Sequence, residues 1–209
     1  MNAFDDTRLV EQRSLKILRP FIQQRVFNGQ FVVTSRGPLA RDLQVTVGDI
    51  VYNSEAETCW GLEIKAEDSN KHGNFFFETW SNRERFTPGW MFSLNTDLLA
   101  YHFLEDDELY VIPFQKLRRW AFGFGAEDGH IYVFPERKQT KRTQLNDTWG
   151  RCVPIEILTA ELGLRPPFKP LTELGGYDAA DDLARSIEDC YGAVREHKAS
   201  GGSGWDPPE

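Results

Sequence analysis

The stretch Gly61-Leu62-Glu63-Ile64-Lys65-Ala66-Glu67 constrains this chain more than any other. Side chains alternate faces along a strand, so residues i and i+2 project together. Leu62, Ile64 and Ala66 then form one apolar face, and Glu63 and Lys65 share the other. A core strand whose second face carries an acid and a lysine either borders water or forms a site. Asp49, in Val45-Thr46-Val47-Gly48-Asp49-Ile50-Val51-Tyr52, precedes it on another β-branched run, with polar residues 53–58 between the two. A hairpin through that turn sets Asp49 beside Glu63. Two carboxylates so close raise each other's pKa unless a cation lies between them. Mg2+ suits such a pair, because it takes one or two carboxylates with waters and phosphate oxygens. The carbonyl of Ile64 offers a further oxygen, and Lys65 is placed to orient or deprotonate a water or to steady a phosphate. These parts suffice for phosphodiester hydrolysis.

The rest of the chain reads as one globular domain with an extension. Residues 8–27 carry Leu15, Leu18, Ile22 and Val26 at helical spacing, with Pro20 expected to kink or split the helix. Strands are expected at 30–34, 43–52, 59–66, 74–80, 107–114 and 130–134. Residues 87–90 read as a turn, and residues 93–103 show a helical period. A helix opened by Pro113 is expected over 113–121, a basic loop over 135–146, and a helix over 155–162 stopped at Gly163. Residues 1–164 form the expected domain. Residues 165–209 hold a Pro-rich linker, an acidic helix over 178–197 and a flexible tail. The order predicts an α/β or α+β fold with a mixed sheet.

Charge is unevenly spread. Residues 171–209 hold nine acids and three bases, a net −6, while residues 1–170 hold 23 acids and 21 bases, a net −2. A nearly balanced body is able to present a basic groove, because local potential steers a ligand more than net charge does. Three readings of the acidic segment stay open: it is inert, it docks on a protein partner, or it lies in that groove as a mimic of DNA. The basic groups are Arg83 and Arg85; Lys116, Arg118 and Arg119; and Arg137, Lys138, Lys141 and Arg142. A charge run is ordinarily a solvated face, and in a nuclease these groups are the phosphate contacts. Trp80, Trp90 and Trp120 are assigned to the core. Cys59, Cys152 and Cys190 lie far apart without a CxxC, and the four histidines lack ligand spacing, so neither a disulfide framework nor a zinc site is expected. No apolar run approaches bilayer length and residues 1–14 lack a signal-peptide pattern, so a cytoplasmic protein without a membrane partner is expected.

The segments GDIVY, GLEIKAE, GNFFFETWSN, TPGW and NTDLLAYHF, taken in that order, resemble the PD-(D/E)XK nuclease superfamily, the restriction-endonuclease-like fold, as seen in small phage and mobile-element members. The resemblance covers roughly residues 8–120. It implies an αβββαβ core and Mg2+- or Mn2+-dependent cleavage of nucleic acid, usually DNA. Asp49 takes the place of the first acid, Glu63 of the second and Lys65 of the lysine, while Gly48 stands where the motif has Pro. Glu11 on the first helix resembles the helical acid that completes such sites. Glu78 is an accessory candidate on a strand expected beside that of Glu63. Asp97 is expected to cap or orient a site helix, with Asn95 and Thr96 as further caps. Endonuclease and exonuclease stay open, as does oligomeric state. The rival readings are a silent binding or inhibitor protein of a mobile element on the same fold, and an acidic DNA mimic.

Overall fold

The computed structural model describes residues 3–21, 31–33, 48–53, 59–123, 129–139 and 147–167. Helix α1 (Ala3–Phe21) comes first. Strands β1 (Phe31–Val33), β2 (Ile50–Asn53) and β3 (Cys59–Glu67) follow as an antiparallel meander. Then β4 (Asn74–Asn82) and β5 (Thr87–Pro88) form a hairpin, and the one-turn helix α2 spans Trp90–Ser93. Next come β6 (Leu98–Phe103), β7 (Glu108–Pro113) and helix α3 (Phe114–Phe122). A 3-10 turn (His130–Val133), β8 (Glu136–Lys138), β9 (Trp149–Pro154) and helix α4 (Ile155–Leu162) complete the described chain.

The strands make two sheets. One is mixed and five-stranded, in the order β1-β2-β3-β6-β7, with β3 and β6 parallel. The other is antiparallel and four-stranded, in the order β5-β4-β9-β8. The mixed sheet is covered on both faces. Register puts Leu62, Ile64 and Ala66 on one face with Leu98, Ala100 and His102. Helix α1 packs there, its buried Ser14 bonded to His102 Nδ1 at 2.8 Å. Glu63, Lys65 and Glu67 share the opposite face with Leu99, Tyr101 and Phe103. That face meets the second sheet. The Phe75 ring stands edge-on to Tyr101 at 4.9 Å, and Phe77 packs against Trp90 at 5.8 Å. The main core fills this interlayer space, and α3 and α4 close it with Leu117, Trp120, Leu158 and Leu162.

Several expectations change here. The strand carrying Glu78 does not neighbour that of Glu63; β4 pairs with β5 and β9 instead, because Phe75 and Phe77 bury their rings against the mixed sheet from outside it. Residues 98–103 are a strand rather than helix. All six are buried, since β6 lies between β3 and β7 with both faces covered, which erases the period of two. The expected strand at 130–134 is a 3-10 turn, and the basic loop contains β8. The turn at 87–90 holds β5 and opens α2. In the expected strand over 43–52, Gly48 and Asp49 stand just before β2, and 43–47 lie outside the described residues. Helix α1 runs through Pro20 to Phe21, and 22–27 lie outside the described residues, as do Lys141, Arg142, the acidic helix and the tail. Helices α3 and α4 match expectation, the second ending at Gly163 with φ 58°. Among the described residues no helix is long and apolar enough to cross a membrane.

Candidate active site

Along the GLEIKAE strand, Glu63 and Lys65 face the seam between the sheets, where Asp49 from just before β2, Trp90 of α2 and Glu78 of β4 come near them. Register brings Asp49, one residue before β2, level with Glu63. Its Oδ2 accepts a hydrogen bond from the Ile64 N–H at 3.0 Å. Gly48 makes this approach possible. Its φ is +98°, and a Cβ there would lie 2.8 Å from the Leu62 carbonyl oxygen. Proline, locked near φ −65°, has no access to that conformation. Glycine at position 48 is therefore built into how this loop meets β3.

Glu63 is 6% exposed, and Lys65 Nζ donates to its Oε1 at 2.5 Å. Burial pushes the Glu63 pKa up to about 7; the Lys65 charge opposes this, and the Asp49 and Glu11 charges add to it. For Lys65, burial works to lower the pKa, but Glu63, Glu11 and Asp49 outweigh it and hold the ammonium above the usual lysine range. Lys65 thus keeps its proton and donates it to Glu63 as a hydrogen bond. Its Nζ lies 5.5 Å from the centroid of the Trp90 ring.

Glu78 arrives from the second sheet. Burial raises its pKa, against the Lys65 charge and a hydrogen bond from the Trp90 N–H to Oε1 at 3.3 Å. Gly89 lets the chain pass close, since a Cβ there would fall 2.4 Å from the Glu78 carbonyl oxygen. Glu11 lies on the exposed side of α1, yet Glu63, Lys65 and Glu78 all feel its charge. Asp97 meets the start of helix α3, its carbonyl accepting the Phe114 N–H at 2.9 Å. Its Oδ2 accepts the Gly61 N–H at 2.9 Å while its own N–H donates to the Gly61 carbonyl at 3.1 Å, pinning β3 where the site begins. Asn95 accepts a bond from Gln115 Nε2, and Thr96 Oγ1 donates to the Leu98 carbonyl, so neither opens a helix.

Because Gly61 bonds toward the β6 side, Ile64, three residues on, turns its N–H and C=O toward the β2 side. The Ile64 carbonyl therefore faces the side on which Asp49 sits. The donors are all hard oxygens, the kind suited to Mg2+ or Mn2+. Among the described residues no group of three acids, histidines or cysteines stands close enough together to hold a metal ion. A site of this type rests on one or two carboxylates and solvent, so Asp49 and Glu63 with the Ile64 carbonyl are the fitting set.

The basic candidates separate. Arg83 and Arg85 are exposed on the β4–β5 hairpin, and Arg83 pairs with Glu136 at 3.1 Å. Lys138 is tied to Asp147 at 2.6 Å, Arg119 and Arg137 are exposed, and Lys116 Nζ donates to the Leu162 carbonyl at 2.7 Å. Arg118 is a correction. It is 5% exposed and donates to the Leu94 and Phe92 carbonyls, fastening the end of α2 rather than meeting a phosphate. Sequence reasoning missed the part played by Gly89 and Trp90, which was assigned to the core. It also passed over Glu67, which accepts the Tyr101 hydroxyl proton. Glu67 was legible as the next residue on the Glu63/Lys65 face; Gly89 had only the Gly-Trp pair as a signal. No protein-family model, curated protein or solved structure gives a significant match to this chain.

Proposed function

We propose that this protein is a divalent-metal-dependent nuclease, hydrolysing phosphodiester bonds of DNA, on a restriction-endonuclease-like core. The observation that carries the reading is the half-buried Asp49–Ile64 and Glu63–Lys65 pairing on adjoining chain segments. The order of elements supports it: α1, the meander β1-β2-β3, then β6 parallel to β3. The helix that the αβββαβ pattern has before its last strand is represented by the single turn of α2, after the β4–β5 excursion.

Asp49 and Glu63, with the Ile64 carbonyl, are the groups that would hold Mg2+ or Mn2+. When bound, such an ion supplies Lewis-acid polarisation of the phosphate and a more acidic water. The chain's own residues do the rest. The Ile64 N–H fixes the Asp49 carboxylate. Lys65 sets the rotamer of Glu63 and presents a positive charge for the charge developing on phosphate. Glu63, Glu11 and Asp49 keep Lys65 protonated, and Glu78, bonded by the Trp90 N–H, lies within the reach of its charge. The pairing of both sheets over this row limits water around it, which strengthens each of these interactions.

Incubation of linear and circular, single- and double-stranded DNA with Mg2+, Mn2+ or EDTA tests the reading. Cutting that requires metal and vanishes in Glu63→Gln is expected. Absence of cutting on every substrate by a folded protein overturns it, and the pattern of products separates endonuclease from exonuclease.

A further inference from the structure

The tip of the β4–β5 hairpin holds a residue that folding alone does not account for. Phe86 is 80% exposed and adopts φ 52°, the left-handed region that bulky residues avoid. The turn is well fixed. The Phe86 N–H donates to the Arg83 carbonyl at 3.1 Å, and the Arg85 N–H donates to Asn82 Oδ1 at 3.0 Å. An exposed aromatic in a strained and ordered turn costs stability and gains no buried surface, which is the signature of a functional position.

Its surroundings indicate the ligand. Arg83 lies over the Trp149 ring at 4.5 Å, and Arg85 is exposed next to Phe86. The acids present are Glu84, Glu136 and Asp147; Arg83 answers Glu136 and Lys138 answers Asp147, while Arg85, like Arg137 on β8, has no ion pair among the described residues. A bare ring beside a guanidinium, with a second guanidinium already stacked on an aromatic, suits an unpaired base and its phosphate. The same hairpin carries Glu78, five residues before Arg83 and roughly 17 Å away along the strand.

We infer that the β4–β5 hairpin is a stacking platform for single-stranded or frayed nucleic acid, with Phe86 taking the base and Arg85 the adjoining phosphate, and that it delivers the strand toward the seam holding Glu63. This rests on the nuclease reading and adds the form of nucleic acid that the protein grips.

The test is binding of labelled single-stranded and blunt duplex oligonucleotides, measured by anisotropy in EDTA so that nothing is cut. Wild type should prefer the single strand. Phe86→Gly should weaken binding about 5- to 100-fold while its melting temperature stays level or rises, because glycine relieves the positive φ. Phe86→Leu, as strained and still apolar, should lose as much; full retention by Leu would show that no stacking is involved and overturn the platform. Phe86→Trp should bind, with its indole fluorescence quenched by the oligonucleotide. Undiminished binding in Phe86→Gly, with wild type binding well, overturns the hairpin inference and leaves the nuclease reading standing. A wild type that binds neither oligonucleotide, and cuts none with metal, removes both.

Discussion

The Asp49 carboxylate and the Ile64 main-chain N–H are joined by a 3.0 Å hydrogen bond, so the acid ahead of β2 is held against the strand that carries Glu63 and Lys65. The bond and the charge of Asp49 are separable. Asp49→Asn keeps an acceptor for Ile64 and should fold with near wild-type stability, whereas Asp49→Ala should lose about 2 kcal/mol. Both should lower cleavage by about 10³-fold or more. Denaturant titration alongside a nuclease assay checks this, and substantial activity in Asp49→Asn would contradict the assigned role.

Lys65→Met removes the charge and keeps much of the stem. Glu63 then loses the cation that opposes its burial, and its pKa should climb further above about 7. The variant should fold and fail to cut DNA. Circular dichroism and the cleavage assay decide, and full activity would sink the role given to Lys65.

Proline at position 48 should do harm. At Gly48 the backbone sits at φ +98° with no room for a Cβ against Leu62. Gly48→Ala should cost about 2 kcal/mol or more, and Gly48→Pro more again, measured by urea unfolding. A proline variant as stable as wild type would refute this account of the loop.

His102 is fully buried, and burial lowers its pKa to about 4, with the Asp107 charge opposing. The unfolded chain takes up its proton near pH 6.5 and the folded chain does not. Stability contributed by neutral His102 is therefore complete above pH 6.5 and lost as pH falls toward 4, on the order of 3 kcal/mol in all. Glu63 works in the opposite sense, its raised pKa adding stability as pH falls from about 7 to 4.5. Relative to wild type, His102→Gln should gain stability progressively as pH falls from 6.5 to 4. Parallel unfolding curves at all pH values would rule out this linkage.

Tyr101 ties the sheets together: its oxygen accepts the Phe76 N–H at 3.0 Å and its proton goes to Glu67. Tyr101→Phe leaves that N–H without its acceptor and should cost about 1–3 kcal/mol by thermal or chemical denaturation.

The site strand was legible because period two survives in GLEIKAE, where one face is apolar and the other ionic. The β2–β3 register followed from the polar turn and the β-branched run. By contrast, β6 hid behind its double burial: Leu98-Leu99-Ala100-Tyr101-His102-Phe103 shows no alternation when both faces are covered. The placement of β4 was not legible either. Its alternation marks a strand and is silent on which sheet receives it, and only packing of Phe75 and Phe77 on Tyr101 decides that. Glu78 consequently reaches the site across the seam rather than along a shared sheet. Arg118 read as a surface cation because its neighbours Lys116 and Arg119 are exposed; helix α3 turns it inward to the carbonyls of α2.

The hairpin β4–β5 and the turn α2 are spliced between two strands that lie side by side, β3 and β6. Whatever that interlude contains, the parallel pairing of β3 with β6 and the Asp97–Gly61 clasp are made by residues outside it. Most of the interlude is tied in, with Phe75, Phe77 and Met91 in the core and Trp90 beside Lys65, but its tip, residues 83–88, is exposed. That tip is open to change without shifting Asp49, Glu63 or Lys65, so on the proposed reading the choice of ligand is free to diverge while the acids and the lysine stay in place.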